Sequence, residues 1–190
     1  MTYGAFFLAG QSNAANYLTT QINGRFAIQS LQLTGFPPTV VHAVGGTALT
    51  SWMKGTPLYN GLRDLILGQS DKAVVLIGGL QGESDCANGL HATYGARMLQ
   101  MATDLNVDTA RHLYWADCQL SSQMQLAGST PETRQAVRDG KNFFAATHPR
   151  VLQVSPEGAT LGGDNLHYTM DGLLTMADRI WSAGHQLGLF

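Results

Sequence analysis

Short apolar segments alternate with helical patterns along this chain, and this alternation constrains the fold more than any other feature. Five apolar runs rich in β-branched and aromatic residues lie at residues 3–9, 39–44, 73–77, 112–116 and 151–154. Amphipathic patterns predict helices at residues 57–67, 89–105, 131–146 and 170–187. Strands that alternate with helices predict an α/β fold, a three-layer α/β/α sandwich around a five-stranded parallel sheet. Residues 13–38 show no clear period.

The length and charge of the chain restrict its organisation and its partners. With 190 residues, of which 44% are hydrophobic, the chain suits one domain over residues 1–190. Charged residues make up only 13% and the formal net charge is -2, against a usual charged share of about 25%. Because lysine and arginine form no cluster, the chain has no basic surface to hold phosphates, and nucleic acid is not an expected partner.

The sequence shows no pattern of export, membrane insertion or disulfide bonding. The apolar stretch at residues 5–9 is too short for the core of a secretory signal, and no basic residue precedes it. No run approaches the roughly 20 apolar residues of a membrane span, and Cys86 and Cys118 are too few for a disulfide framework. We therefore expect a soluble protein without a recognisable signal peptide, in the cytoplasm or within a larger secreted or particle-associated assembly.

Four short motifs follow the predicted strands. Ser12 comes just after the first strand, Gly45 and Gly46 end the second, Gln81 follows the third, and His167 follows the fifth. In an open parallel sheet, ligands bind in the crevice beyond the carboxyl ends of the strands. These residues are therefore expected to meet in one crevice.

Ser12, Gly46 and Gln81 have the chemistry of an acyl-transfer site, although each has a simpler interpretation. A serine at a strand-to-helix turn caps the helix more often than it acts as a nucleophile, while the helix start would offer backbone N–H groups to an oxyanion. Gly46 could be a turn residue, or its missing Cβ could let its N–H approach a substrate carbonyl oxygen. Gln81 could satisfy loop backbone groups, or its amide could complete an oxyanion hole of three donors.

His167 is the expected general base. It is the only one of six histidines with an aspartate three residues before it. A single turn would let Asp164 accept the Nδ1–H of His167 and leave Nε2 free for the serine hydroxyl. By itself, Asp-x-x-His is more often a surface turn. No cluster of histidine and aspartate has metal-ligand spacing, so neither a metal nor a cofactor is expected.

These motifs together resemble the SGNH hydrolase superfamily, and within it the carbohydrate esterase branch of acetylxylan esterases and sialate O-acetylesterases. The resembling segments are Gly10-Gln11-Ser12-Asn13, Gly45-Gly46-Thr47 with Trp52, Leu58-Tyr59-Asn60, Gln81-Gly82-Glu83-Ser84-Asp85 and Asp164-x-x-His167. Members of this branch commonly have Trp-His before Gln-Gly-Glu, whereas this chain has Gly79-Leu80. The acyl pocket is therefore expected to differ in shape.

The resemblance implies a flavodoxin-like SGNH hydrolase fold and a serine esterase that acts in two acyl-transfer steps. It implies that Ser12 is the nucleophile, His167 the general base and Asp164 the partner that orients the base. It also implies an oxyanion hole formed by the N–H groups of Ser12 and Gly46 and by Gln81. The implied substrate is a carbohydrate with a short acyl group, preferably acetyl.

Glu83 and Asn13 are expected to support this site. Glu83 could orient Gln81 or hold the active-site loop. Two alternatives stay open, in which Glu83 replaces Asp164 as the partner of His167 or is only a solvated charge.

Two further residues are expected to contact the substrate. Trp52, which follows the glycine motif, could form one wall of a sugar site, and Gln11 precedes the candidate nucleophile. The other two tryptophans, Trp115 and Trp181, are expected in the core.

Three other functions stay open on the sequence alone. A non-catalytic glycan-binding domain is disfavoured by the presence of Ser12, Asp164 and His167. A nucleotide-binding α/β domain is disfavoured because neither Gly-x-x-x-x-Gly-Lys nor Gly-x-Gly-x-x-Gly follows the first strand. A lipid or thioester hydrolase would share the mechanism and differ in its substrate.

Overall fold

Five parallel strands form one sheet in the part of the chain that the structure describes. The computed structural model describes residues 4–16, 39–69 and 74–189. The strands are β1 (Gly4–Gly10), β2 (Thr39–Ala43), β3 (Val74–Leu80), β4 (Tyr114–Cys118) and β5 (Val151–Val154). Their order across the sheet is β2-β1-β3-β4-β5, and every neighbouring pair is parallel.

Six α-helices accompany the strands in the described residues. They are α1 (Ser12–Ala15), α2 (Pro57–Leu67), α3 (Glu83–Ala87), α4 (Tyr94–Thr109), α5 (Pro131–Thr147) and α6 (Met170–Gln186). Helices α2 and α5 begin where the sequence predicts, because Thr56 and Thr130 cap them and a proline follows each cap. Helix α4 begins at Tyr94 rather than at residue 89, since Gly89 adopts a positive φ of 68° and a short 3-10 turn intervenes.

The sheet separates two apolar cores, one on each face. Phe7, Ile77 and Trp115 face one core together with residues of α2, α4 and α5. Phe6 and Leu8 face the other core together with residues of α6. Helices on both faces complete the predicted three-layer sandwich, so the predicted fold class is confirmed.

Trp115 and Trp181 are buried in these cores, as predicted. Cys86 and Cys118 are buried free thiols. Within residues 4–16, 39–69 and 74–189, no helix combines the length and apolar character needed to cross a membrane. Most of the segment 13–38, for which the sequence shows no period, lies outside the described residues.

Strand β3 is longer than the sequence predicts and delivers Gln81 directly to the edge of the sheet. It continues through Gly78 and Gly79 to Leu80, although the predicted strand ends at residue 77. A Cβ at Gly78 would lie 2.9 Å from Cδ2 of Leu8. Glycines that favour turns by local propensity continue a central strand here because neighbouring core side chains need the space.

The carboxyl ends of β1 and β3 meet where the strand order reverses, and this junction positions the candidate site. Gly10 ends β1 with a φ of 142°, and a Cβ there would lie 2.0 Å from the backbone oxygen of Leu80. Glycine permits this approach, and the N–H of Gln11 donates to the same oxygen at 3.1 Å. Ser12 and Gln81 therefore follow two strands that are in direct contact.

Candidate active site

Ser12, His167 and Asp164 form a continuous line of hydrogen bonds. Nε2 of His167 is 2.9 Å from Oγ of Ser12, and Nδ1 of His167 is 2.6 Å from Oδ2 of Asp164. The side chains of His167 and Asp164 are 36% and 52% exposed, so the line is open to an incoming ligand. The structure thus brings together the three residues that the sequence predicts as a catalytic triad.

Asp164 accepts hydrogen bonds on both carboxylate oxygens. The backbone N–H groups of Leu166 and His167 donate to Oδ1, each at 3.0 Å. These hydrogen bonds hold the pKa of Asp164 well below its usual range. The backbone N–H of His167 has the largest effect, and the ring of His167 has the second largest. Because an ionised carboxylate only accepts, the ring proton lies on Nδ1 of His167, and Nε2 is left to accept the hydroxyl proton of Ser12.

A tight turn presents His167. The N–H of Gly162 donates to the backbone oxygen of His167 at 2.7 Å, and the N–H of Asn165 donates back to Gly162 at 3.0 Å. Asn165 adopts the left-handed conformation with a φ of 52°, and Leu161 pairs with Tyr168 in an antiparallel bridge. These bonds fix the internal shape of the loop, so its aspartate and histidine keep their relative position.

Ser12 is the first residue of α1 and does not cap it. Gln11 occupies the N-cap position, and no side chain makes a capping hydrogen bond there. The hydroxyl of Ser12 instead contacts His167. The capping interpretation of Ser12 is therefore wrong for this structure.

The glycine loop, residues 44–47, lies beside Ser12. A Cβ at Gly45 would be 3.6 Å from Cβ of Ser12, so the backbone of the loop passes close to the candidate nucleophile. Gly46 is exposed and has a φ of 72°, a conformation that favours glycine. Gly46, the predicted oxyanion donor, therefore lies on an exposed turn, one residue after the point where the loop passes Ser12.

Gln81 connects the glycine loop to the start of α3. Its Nε2 donates to the backbone oxygen of Thr47 at 2.7 Å and to Oδ2 of Asp85 at 3.3 Å. Its backbone oxygen accepts the hydroxyl of Tyr94 at 3.1 Å. Both amide hydrogens of Gln81 thus have protein acceptors, so the predicted donation to an oxyanion requires one of these contacts to be exchanged.

Asp85 is a buried residue of this site whose role the sequence reasoning missed. The side chain is 0% exposed, and the N–H of Leu49 donates to both of its oxygens, at 3.1 and 3.0 Å. Burial raises the pKa of Asp85 to about 6, against the lowering effect of its hydrogen bonds from Leu49 and Gln81. The available signal was its place as an acidic residue in the first turn of the helix that follows Gln81 and Gly82.

Asp85 predicts a pH-dependent stability. Well below pH 3.8 the carboxyl of Asp85 is protonated in both the folded and the unfolded chain. Because the folded pKa is raised to about 6, the free energy of unfolding falls as the pH rises from 3.8 to about 6. The free energy of unfolding of the wild type should therefore drop by about 2 kcal/mol relative to Asp85→Asn between about pH 4 and about pH 7. Urea unfolding of both proteins at the two pH values measures this, and a difference that does not change with pH would contradict it.

Trp52 and Gln11 do not form the accessible surface of the site. The prediction that they contact the substrate is therefore corrected, and both are buried residues behind the site. Trp52 is 2% exposed, and its Nε1 donates to Oγ1 of Thr47 at 3.1 Å. Gln11 is also 2% exposed, and its Oε1 accepts the hydroxyl of Ser84 at 2.7 Å. Each side chain makes its hydrogen bond to an active-site segment from the protein interior. The sequence motif does not show whether these two side chains are buried or exposed.

Glu83 and Asn13, the predicted supporting residues, contact each other. Nδ2 of Asn13 donates to Oε1 of Glu83 at 2.9 Å, and both side chains are buried. Glu83 is therefore neither the partner of His167 nor a solvated charge, since Asp164 contacts the histidine ring. The residue whose side chain orients Gln81 is Asp85, not Glu83.

A buried ion pair lies beneath the turn that carries Gln81. Nζ of Lys141 is 2.8 Å from Oδ1 of Asp117, and the two side chains are 0% and 1% exposed. Although burial alone would lower it, the charge of Asp117 raises the pKa of Lys141. Nζ of Lys141 also lies 5.3 Å from the ring centroid of Tyr94, whose hydroxyl donates to Gln81. No local pattern predicts this pair, because β4 supplies the aspartate and α5 the lysine.

No group of three or more His, Cys, Asp or Glu residues with the arrangement of a metal site occurs in the described ranges.

Comparison with protein families gives one match over most of the chain. A family model described as carbohydrate esterase, sialic acid-specific acetylesterase matches residues 24–185. The matched region contains Gly46, Gln81, Asp164 and His167, and it begins after Ser12. No curated protein matches the chain in sequence.

Solved structures share the fold at low sequence identity. A protein from Arabidopsis thaliana has a TM-score of 0.79 and 19% identity, with 98% of this chain and 99% of that chain covered. A carbohydrate acetylesterase from Xanthomonas citri has a TM-score of 0.73 and 18% identity, with 97% of this chain and 56% of that chain covered. An acetyl esterase solved with an acetate ion has a TM-score of 0.64 and 13% identity, and 97% of each chain is covered.

Proposed function

The chain belongs to the carbohydrate esterase family of sialic acid-specific acetylesterases, among the SGNH hydrolases, and we propose that it is a serine esterase that removes short acyl groups from carbohydrate hydroxyls. One observation carries the proposal: Oγ of Ser12 is 2.9 Å from His167, which is 2.6 Å from Asp164. A hydroxyl, an imidazole and a carboxylate in this order form an activated nucleophile. Acetyl is the preferred acyl group, as in the carbohydrate acetylesterase from Xanthomonas citri that shares the fold.

The proposed reaction has two acyl transfers. Oγ of Ser12 attacks the ester carbonyl carbon while Nε2 of His167 takes the hydroxyl proton. The tetrahedral intermediate collapses when the imidazolium gives this proton to the sugar oxygen, which leaves as a free hydroxyl group. Water then attacks the acyl-enzyme with the same base, and the carboxylic acid is released from the regenerated serine. Asp164 stabilises the imidazolium in both transfers.

The oxyanion that develops in each transfer requires donors near Ser12. We assign this role to the N–H groups of Ser12 and Gly46 and to the amide of Gln81. Gln81 would exchange its bond to Asp85, since this bond, at 3.3 Å, is the longer of its two amide contacts. The remaining bond to Thr47 would keep the amide turned towards the glycine loop.

Replacing Gln81 tests the third donor. Gln81→Ala is expected to lower kcat by about 10²-fold to 10³-fold, the usual effect of removing one oxyanion donor. KM should change little, because the donor acts on charge that develops in the transition state. Kinetics on p-nitrophenyl acetate, normalised to the folded fraction, measure both parameters.

A matched control separates this effect from a general loss of structure. Gln100→Ala removes a glutamine that also donates to an aspartate four residues later, at 2.9 Å, on the exposed face of α4, and it should leave kcat unchanged. If Gln81→Ala lowers the melting temperature but keeps the wild-type kcat, Gln81 is structural and the donors are Ser12 and Gly46 alone.

The substrate class is tested by acyl chain length and by the alcohol that carries the acyl group. We expect p-nitrophenyl acetate to be hydrolysed with a higher kcat/KM than the octanoate. Acetate release from acetylated xylan and from O-acetyl sialic acids would then identify the sugar. Preference for octanoate, without acetate release from any acetylated glycan, would favour a lipid or thioester hydrolase. Binding of these glycans without any ester hydrolysis would favour a non-catalytic glycan-binding domain.

A further inference from the structure

The side chain of Asn13 contacts the backbone on both sides of His167. Its Oδ1 accepts the N–H of Tyr168 at 3.1 Å, and its Nδ2 donates to the backbone oxygen of Leu166 at 3.2 Å. Asn13 directly follows Ser12 in the chain. One side chain therefore connects the helix of the candidate nucleophile to the loop of the candidate base.

Glu83 fixes the orientation of this amide. Its Oε1 accepts a hydrogen bond from Nδ2 of Asn13 at 2.9 Å, and the two side chains are 5% and 2% exposed. An amide turned by 180° would place its oxygen against the carboxylate of Glu83 and the carbonyl of Leu166, and its NH2 group against the N–H of Tyr168. The observed orientation is the one that satisfies all three partners.

Leu166 and Tyr168 pack against the two cores, whereas burial does not hold the side chain of His167 in place. Its side chain is 36% exposed, and residues 163–165 of its loop are exposed as well. The hydrogen bonds inside the loop, such as that from Gly162 to His167, fix its shape, and the N–H of Gln125 joins it to a neighbouring segment by donating to the backbone oxygen of Asn165 at 2.8 Å. None of these bonds runs to α1. Besides the contact between Ser12 and His167 itself, the bonds of Asn13 join this loop directly to α1.

Building on the proposed function, we propose that Asn13 and Glu83 form a clamp that holds His167 within hydrogen-bonding distance of Ser12. Asn13 makes the contacts, and Glu83 keeps the amide of Asn13 in the orientation that these contacts need. Both are positioning residues, because neither touches the reacting atoms.

Three variants test the clamp on the full chain. Glu83→Ala removes the acceptor of Asn13 and should lower kcat and the rate of Ser12 modification by a fluorophosphonate, each by about 10²-fold, because a displacement of about 1 Å costs this much. KM should change little. Glu83→Gln can still accept through Oε1 and should recover most of both rates. Asn13→Ala removes all three contacts and should reproduce the losses, which also covers the case in which Glu83→Ala does not fold.

Thr109→Val is the matched control. It removes a buried hydroxyl that donates to the backbone oxygen of Leu105 at 2.6 Å, at the end of α4 and in no contact with the triad. It is expected to lower the melting temperature and to leave both rates unchanged. Wild-type rates in Glu83→Ala and Asn13→Ala, with only the melting temperature lowered, would overturn the clamp.

Crystal structures of Glu83→Ala and Asn13→Ala decide the question without turnover. We expect Nε2 of His167 to lie beyond about 3.5 Å from Oγ of Ser12, outside hydrogen-bonding range. An unchanged separation would overturn the clamp. A wild-type chain that neither hydrolyses acetate esters nor reacts with the fluorophosphonate would instead overturn the proposed function, and the measured separation would still decide whether the clamp exists.

Discussion

Ser12→Ala is expected to lower kcat by about 10⁶-fold, the loss that removal of a catalytic serine produces in other triad enzymes. The reason is chemical, since His167 and the oxyanion donors have no hydroxyl to activate once Oγ is absent. A fluorophosphonate should modify the wild type once per chain, at Ser12, and should leave Ser12→Ala unmodified. Steady-state kinetics on p-nitrophenyl acetate and mass spectrometry of the modified peptide measure the two effects.

Ser182→Ala provides the control for this experiment. Ser182 is an exposed serine in the C-terminal half of α6. The variant should keep wild-type turnover and stoichiometric modification. Modification of a residue other than Ser12 in the wild type, or substantial turnover by Ser12→Ala, would remove Ser12 from the role of nucleophile.

The fold was predictable from the sequence where local signals agree with packing. Helix α2 starts and ends at the predicted residues, because the Thr56-Pro57 pair marks its start and an apolar stripe marks its length. The end of β3 was not predictable in the same way. By propensity, Gly78 and Gly79 predict the end of a strand. Their place inside β3 depends instead on the neighbouring side chains of Leu8 and Asp117, which belong to other strands.

In the site, too, the position of some residues could be predicted from the sequence and the burial of others could not. Ser12, His167 and Asp164 could be placed together because each follows a strand of one parallel sheet, and such strands end at one edge. Burial, in contrast, cannot be read from a motif. Trp52 looked like a sugar-binding surface although it is part of the core. Asp85 lies in the same motif as Gln81 and Glu83, and the motif alone gives it no separate role, although its side chain orients the amide of Gln81.

The orientation of Gln81 shows why residue type alone does not determine a role. The sequence predicts a free amide that donates to an oxyanion, whereas the structure engages both of its hydrogens with Thr47 and Asp85. These contacts depend on the glycine loop and on α3 at once. If Gln81 donates to the oxyanion, the substrate oxygen must first replace the carboxylate of Asp85 as the acceptor of its amide. The free energy of losing the bond to Asp85 is then part of the cost of forming the oxyanion hole.

Asp164→Asn is the second variant with a very large expected effect, a loss of about 10⁴-fold in kcat. The asparagine Oδ1 can still accept the backbone N–H groups of Leu166 and His167, which now lie 3.0 Å from the aspartate oxygen, so the turn should persist. The new NH2 group would face Nδ1 of His167, where Oδ2 now accepts. The ring would then move its proton to Nε2, and Nε2 could no longer accept the proton of Ser12.

The effect of Asp164→Asn should therefore fall on kcat, with KM and the melting temperature close to the wild type. Asp164→Ala is the informative comparison, because it also removes the acceptor of the two backbone N–H groups and should lower the melting temperature as well. The low pKa of Asp164 keeps the wild-type carboxylate ionised at neutral and mildly acidic pH, so the defect of the asparagine variant should persist across this range. A loss below about tenfold in Asp164→Asn would mean that the ring takes its productive tautomer without a carboxylate, and the triad would reduce to Ser12 and His167.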